Sequence, residues 1–265
     1  MKKLIVANWK MNPATLAEAQ GILESVDDFL SSQEARAEEL SLVFCPPFVF
    51  TEEVAKILQS SHLAHRAQLG AQDIAMDDTG AMTGEVSGPM LTKLGVQYVI
   101  IGHSERRWKL GESDDVVNKK LKAALRNELI PIVCLGERTR NTGPPAGGWQ
   151  DFLRQQTTAT FAGLLADDVG RCLVAYEPVW AISTTPGARP DTPVSALQSV
   201  GIIRDRLATS YKLQATSFLY GGSITAVNVG AFLAVPEFSG VLVGGASVNK
   251  EEFVKILGIA VSVSS

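Results

Sequence analysis

Short apolar runs, rich in β-branched residues, recur along the chain with helix-spaced stretches between them. The runs cover residues 4–8, 42–45, 98–102, 131–136, 172–176, 218–221 and 240–244, with a weaker one near 67–72. They are continuous rather than alternating, as in strands buried on both faces of a parallel sheet. Between them, residues 15–30 carry Leu16, Ala19, Leu23, Val26 and Leu30 close to helical spacing. Thr51 reads as an N-cap, with Glu52 and Glu53 in the first turn. Residues 89–94 form a short helix, Ser113 caps 114–127, and 149–165 is amphipathic. Thr192 followed by Pro193 opens 194–210, Thr225 opens 226–234, and Asn249 opens 250–257.

Strand then helix, repeated eight times, predicts parallel strands joined by right-handed crossovers. Eight units in 265 residues predict an α/β fold, a closed (β/α)8 barrel forming a single domain over residues 1–265. An open, doubly wound sheet is the alternative. It usually carries a glycine fingerprint after its first strand, where this chain has Asn8-Trp9-Lys10. The most loop-like stretches, 139–148 and 183–192, fit loops within one domain.

Composition narrows the function. Apolar residues make up 46% and charged residues 20%, enough for a large core. The net charge of −4 with no basic block gives nucleic-acid binding no support. Cys45, Cys134 and Cys172 are widely spaced and lie in or beside apolar runs, so they read as core thiols of a reducing compartment. The N-terminal apolar run meets Asn8, Trp9 and Lys10 too early for a signal peptide, and no run is long enough to span a membrane. A cytoplasmic location is the expectation.

In a barrel, residues at the C-terminal ends of the strands converge on one mouth. Here they are Asn8 and Lys10, then His103, Ser104 and Glu105, then Glu177, then Gly221-Gly222-Ser223, then Gly244-Gly245. Each has a bland reading: a solvated lysine, a core histidine, glycines that make tight turns. Together they supply a base, an imidazole and an ammonium, which is what proton transfer beside a carbonyl needs. Paired glycines after the last two strands let backbone N–H groups approach an anion. No cluster has metal-ligand spacing and no nucleotide fingerprint is present. The expectation is therefore no metal and no cofactor.

Several segments carry a resemblance. They are Ala7-Asn8-Trp9-Lys10-Met11-Asn12, Gly70-Ala71-Gln72-Asp73, Thr83-Gly84-Glu85, Gly102-His103-Ser104-Glu105-Arg106-Arg107, Gly111-Glu112-Ser113, Pro131-Ile132-Val133-Cys134-Leu135-Gly136-Glu137, Tyr176-Glu177-Pro178-Val179-Trp180-Ala181-Ile182, Tyr220-Gly221-Gly222-Ser223 and Leu242-Val243-Gly244-Gly245-Ala246-Ser247. In this order the chain resembles the triosephosphate isomerase family nearly end to end. The resemblance implies a TIM barrel that interconverts dihydroxyacetone phosphate and D-glyceraldehyde 3-phosphate without a cofactor. It implies Glu177 as the base and His103 as the neutral imidazole on the carbonyl. Lys10 would be the ammonium, Asn8 the amide donor beside it, and Glu105 a buried carboxylate near Lys10. Ser183, Ser223, Gly244 and Gly245, with Asn8 and Lys10, would hold the phosphate. Thr83 would reach into a partner's site, with Glu85 and Arg106 as a matching ion pair, so a homodimer is implied. His62 and His65 read as structural or surface residues.

The lid departs from the family. Residues Pro178, Val179, Trp180, Ala181 and Ile182 match, but Ser183, Thr184, Thr185 and Pro186 stand where the family has Gly-Thr-Gly-Lys. The segment is about three residues longer than usual by motif matching. A serine at a position needing positive φ would be strained, and Pro186 stiffens the second hinge. Two alternatives stay open: a four-carbon sugar-phosphate isomerase with a modified lid, and a barrel that binds phosphorylated ligands without turnover.

Overall fold

The computed structural model describes residues 2–33, 40–140, 148–212 and 216–264. The part of the loop-like stretch 139–148 that spans 141–147 lies outside them. Eight strands run β1 (Lys3–Asn8), β2 (Leu40–Cys45), β3 (Ala67–Ala71), β4 (Tyr98–Ile101), β5 (Ile130–Leu135), β6 (Leu173–Tyr176), β7 (Ser217–Tyr220) and β8 (Phe238–Val243). Each pairs in parallel with its neighbour in sequence, and β8 closes on β1 through Leu4↔Gly240 to Ala7↔Val243, so the sheet is a closed barrel. The open-sheet alternative is thereby excluded.

Side-chain parity divides the core in two. Val6, Val43, Cys45, Ile100, Ile132, Cys134, Ala175, Leu219 and Leu242 fill the barrel interior. Their strand neighbours, such as Ile5, Phe44, Val99, Val133, Val174, Phe218 and Val241, face outward and pack under the helices. This is why the runs are apolar without alternation: both faces of every strand are covered. All three cysteines are buried free thiols.

The helices are α1 (Leu16–Ser32), α2 (Thr51–Ser60), α3 (Gly88–Lys93), α4 (Ser104–Lys109), α5 (Asp114–Arg126), α6 (Gly148–Thr160), α7 (Ala166–Gly170), α8 (Pro193–Tyr211), α9 (Val229–Leu233) and α10 (Lys250–Ser264). Ser113 and Thr192 cap α5 and α8 with their side chains, as their positions predict, and Thr15 caps α1 in the same way. Thr51 does not cap. The turn Phe48–Phe50 already winds the chain, so Thr51 is the first residue of α2 and its hydroxyl donates to the Pro47 carbonyl at 3.5 Å. The expected 149–165 helix stops at Thr160, because Gly163 (φ +71) turns the chain before α7 begins. Thr225 does not open a helix directly. Asn228 Oδ1 accepts its N–H, and α9 begins only at Val229. The last helix instead runs on past residue 257 to Ser264.

Four strands end one residue short of the expected glycine, at Ile101, Leu135, Tyr220 and Val243. The glycines begin the loops instead. Gly102 takes φ +67, which breaks the pleat and re-aims His103.

Candidate active site

The first strand delivers Lys10 in an unusual backbone state, φ +55 in a non-glycine residue. Two side chains hold it there. Asn8 Oδ1 accepts the Lys10 N–H at 3.1 Å, and Gln72 Nε2 donates to the Lys10 carbonyl at 2.9 Å and to the Cys45 carbonyl at 2.9 Å. The strained turn aims Lys10 Nζ at Glu105 Oε1, 2.9 Å away. The same side chain crosses the loop after β8: a Cβ on Gly244 would lie 3.2 Å from Lys10 Cε, whereas one on Gly245 would meet open space. Glu105 is close to Lys10 as expected, but 29% of its side chain is exposed, so it is a half-buried carboxylate rather than a buried one. Burial alone would raise its pKa; the bond to and charge of Lys10 outweigh that and hold the carboxyl below its ordinary range.

His103 stands at the start of α4, and its Nδ1 accepts the Glu105 N–H at 3.2 Å. In the neutral ring the proton therefore sits on Nε2. That nitrogen faces Glu177 Oε1 at 2.9 Å. Glu177 follows β6 with a side chain only 2% exposed. Its other oxygen, Oε2, accepts the Ser104 N–H at 2.8 Å, and Ser104 Oγ lies 3.4 Å from Oε1. Burial would raise this carboxyl, but His103, the Ser104 N–H and the charge of Lys10 together keep it below its ordinary value. An ionised carboxylate, an imidazole N–H and an ammonium thus share one mouth.

The glycines after β7 have a tighter reason than the approach of an anion. A Cβ on Gly221 would lie 3.0 Å from Glu177 Cγ, and one on Gly222 only 2.2 Å from the Tyr220 hydroxyl. They give clearance to the carboxylate and to Tyr220.

The lid is held by its own turns. Val179–Ala181 forms a 3-10 turn. Thr185 N–H donates to the Ile182 carbonyl at 2.8 Å and Thr185 Oγ1 to the Val179 carbonyl at 2.8 Å. Arg189 N–H reaches back to the Trp180 carbonyl at 3.3 Å. Ser183 and Thr185 do not adopt positive φ; Gly187 does, at +73. The serine therefore carries no backbone strain, and its N–H donates to Ser223 Oγ at 2.7 Å.

Thr83 and Glu85 lie exposed on the loop after β3. Within the chain, Arg106 pairs with Asp73 (2.8 Å) and Glu112 (2.7 Å), and Glu85 acts on it only as a more distant charge. His62 and His65 are in a short turn before β3, with His62 82% exposed.

The profile of the triosephosphate isomerase family matches residues 3–260. The chain belongs to the triosephosphate isomerase family. It is 41% identical over 258 residues to a protein of Moorella thermoacetica named triosephosphate isomerase, covering 97% of this chain and 98% of that one. A namesake from Caldanaerobacter subterraneus subsp. tengcongensis is 39% identical over 259 residues, with 97% and 98% covered. The crystal structure of triosephosphate isomerase from Bartonella henselae superposes with a TM-score of 0.80 at 28% identity, covering 98% of this chain and 99% of that chain. The chain is accordingly an enzyme of the isomerase class.

Three contributors escaped the sequence reading. Gln72 and Ser104 stood inside quoted motifs without a role, and polar residues at strand ends are the signal that could have assigned one. Arg140 stood in no motif.

Proposed function

We propose that this chain interconverts dihydroxyacetone phosphate and D-glyceraldehyde 3-phosphate, with Glu177 moving the proton. The observation that carries the reading is the buried Glu177 carboxylate bonded to the Nε2 side of His103. From the ketose, Glu177 takes a proton from C1, and the C–H pair becomes the C=C bond of an enediolate. The carbonyl π pair moves onto oxygen, where the Nε2–H of His103 and the Lys10 ammonium meet the developing charge. His103 carries protons between the two oxygens, and Glu177 returns a proton to C2, giving the aldose. Asn8 contributes its Nδ2 donor beside Lys10. The phosphate is held by the N–H groups of Ser183, Ser223, Gly244 and Gly245. The side chains suffice for this chemistry, so no cofactor or metal enters it.

The working unit is a homodimer in the cytoplasm. The support for the dimer is a set of apolar side chains on the loops after β1, β2 and β3: Met11 is 95% exposed, Val49 81% and Met82 43%. Thr83 lies within the same set of loops. Such a patch on adjacent loops suits an isologous contact.

The test is steady-state turnover of D-glyceraldehyde 3-phosphate against a four-carbon ketose phosphate, for the wild type and Glu177→Asp, with the mass by sedimentation. Triose turnover that falls about 10²-fold or more in the variant supports both reaction and base. Preferential four-carbon turnover, or none on either substrate, overturns the reading. A monomeric mass in active enzyme removes the dimer alone.

A further inference from the structure

We infer that Arg140 is a positioning residue for the lid, a strap that ties both of its ends to the strand carrying Glu177. This rests on the isomerase reading of that site. The guanidinium makes cation–π contacts with two indoles, its Cζ 4.6 Å from the Trp149 ring centroid and 5.1 Å from that of Trp180. Trp180 belongs to the lid, three residues after Glu177, and Trp149 to α6. Each guanidinium nitrogen finds an acceptor. Nε donates to Glu137 Oε1 at 3.0 Å, and Nη1 to Ser195 Oγ at 2.6 Å. Nη2 donates to the Ser195 carbonyl at 2.7 Å, Ser199 Oγ at 2.8 Å and the Tyr176 hydroxyl at 3.2 Å.

These partners sit on both sides of the lid. Tyr176 precedes Glu177 directly, Trp180 is in the first turn of the lid, and Ser195 and Ser199 lie on α8, just beyond its far end. One side chain therefore joins the strand end, the near hinge and the anchor of the far hinge. Glu137 completes the strap: its Oε1 also receives the Tyr176 hydroxyl at 2.8 Å and Trp180 Nε1 at 2.9 Å. Its Oε2 is buried and has no hydrogen-bond partner among the described residues.

The two kinds of contact differ in what they allow. The in-plane bonds to Ser195, Ser199 and Glu137 are directional and fix the guanidinium to α8 and the loop after β5. The cation–π contact with Trp180 is less directional, so the indole can slide across the guanidinium once its Nε1 bond to Glu137 opens. Lysine offers neither the fork nor the plate. Arg140 thus fixes where the lid turns and leaves it free to turn, and the base beside that hinge stays in register.

The test uses full-length enzyme labelled with 5-fluorotryptophan, with Trp180 assigned by Trp180→Phe. Arg140→Met, Arg140→Lys and Trp149→Leu are compared with wild type by kcat and KM for D-glyceraldehyde 3-phosphate. The ¹⁹F signal of Trp180 is followed during titration with inorganic phosphate. The expected result is a kcat/KM loss of about 10-fold or more for both Arg140 variants, near the scale set by misplaced catalytic groups. The Trp180 signal should shift or broaden and need more phosphate to move, while the Trp9 signal stays in place. Trp149→Leu, which strips one stacked face and leaves the in-plane bonds, should shift the same signal less. If the folded Arg140 variants keep wild-type kcat and KM, or lose activity with the Trp180 signal unmoved, the inference is overturned. If both Arg140 variants fail to fold, Trp149→Leu decides it by the same two readouts. A wild type without triose-phosphate turnover would instead overturn the proposed function.

Discussion

Gly136 sits directly after β5 and against the backbone of the proposed base. A Cβ there would lie 1.8 Å from the Glu177 carbonyl oxygen and 2.5 Å from its carbonyl carbon. Real Cβ contacts do not fall under 3.0 Å, so Gly136→Ala must drive the two loops apart by about 1.2 Å. The obstacle is backbone, not a flexible side-chain tip. The Glu177 N–H is bonded to the Leu135 carbonyl at 2.8 Å, so the base moves with the displacement. A misplacement near 1 Å costs about 10²-fold in rate, or about 2.7 kcal/mol of barrier. Overpacking should also cost about 1–3 kcal/mol of stability. Gly240→Ala is the matched control. Its Cβ would meet the Leu4 carbonyl oxygen at the same 1.8 Å, but between β8 and β1, far from the base. Both variants should lose stability by urea denaturation, and only Gly136→Ala should lose kcat per folded molecule. Folded Gly136→Ala with kcat within about threefold of wild type, or an equal loss in Gly240→Ala, would show that this contact does not position Glu177.

Two other perturbations follow. Asp73 is buried with Lys120 Nζ at 2.6 Å and Arg106 Nη2 at 2.8 Å. Burial outweighs these cations and raises its carboxyl from 3.8 to about 6. The folded state therefore binds the extra proton between those values, and stability relative to Asp73→Asn should fall as pH rises from about 4 to about 6, then level off. The rise corresponds to at most about 3 kcal/mol; urea midpoints of both proteins that stay parallel from pH 4.5 to 7.5 would contradict it. Lys10→Met removes the ammonium beside Gly244 while keeping the stem. It should raise KM for the triose phosphate and cut kcat/KM by about 10² or more, and an unchanged KM would free Lys10 of any part in holding the anion.

The barrel was legible because each strand is covered on both faces, which leaves a continuous apolar run, and because Ser113 and Thr192 cap their helices as their positions predict. Ends were less legible. Thr51 looks like a cap on its own, and only the preceding turn at Phe48–Phe50 makes it helical. The site's charged groups were readable as strand-end residues, since parity and parallel order bring strand ends to one mouth. Long-range partners were not. Gln72 holds Lys10 from 62 positions away, and Arg140 reaches Ser195 across 55. The glycines at 221 and 222 read as an anion cradle, yet their contacts are with Glu177 and Tyr220. Local sequence gives a glycine's freedom but not what crowds it.

The lid shows the same distinction. Losing two glycines suggested strain if those positions take positive φ; Ser183 and Thr185 do not take it in this structure, and Gly187 supplies a left-handed turn within the longer segment. Thr185 uses its extra hydroxyl to bond Val179, so the added side chain stabilises the loop's own fold. Meanwhile Glu177 rests on His103 and Ser104, so the proposed base and electrophile are bonded to each other. On the proposed roles, substrate must take the place of Glu177 at His103 Nε2 and draw the carboxylate from Ser104. The His103 bond is exchanged for one to the carbonyl, but the Ser104 N–H gives up its acceptor, so the exchange costs free energy at the reacting end. The remaining driving force has to come from the phosphate, through the N–H of Ser183 and the loops after β7 and β8. Binding energy gathered away from the reacting carbons then moves the base into place, and it is realised only when the lid is down.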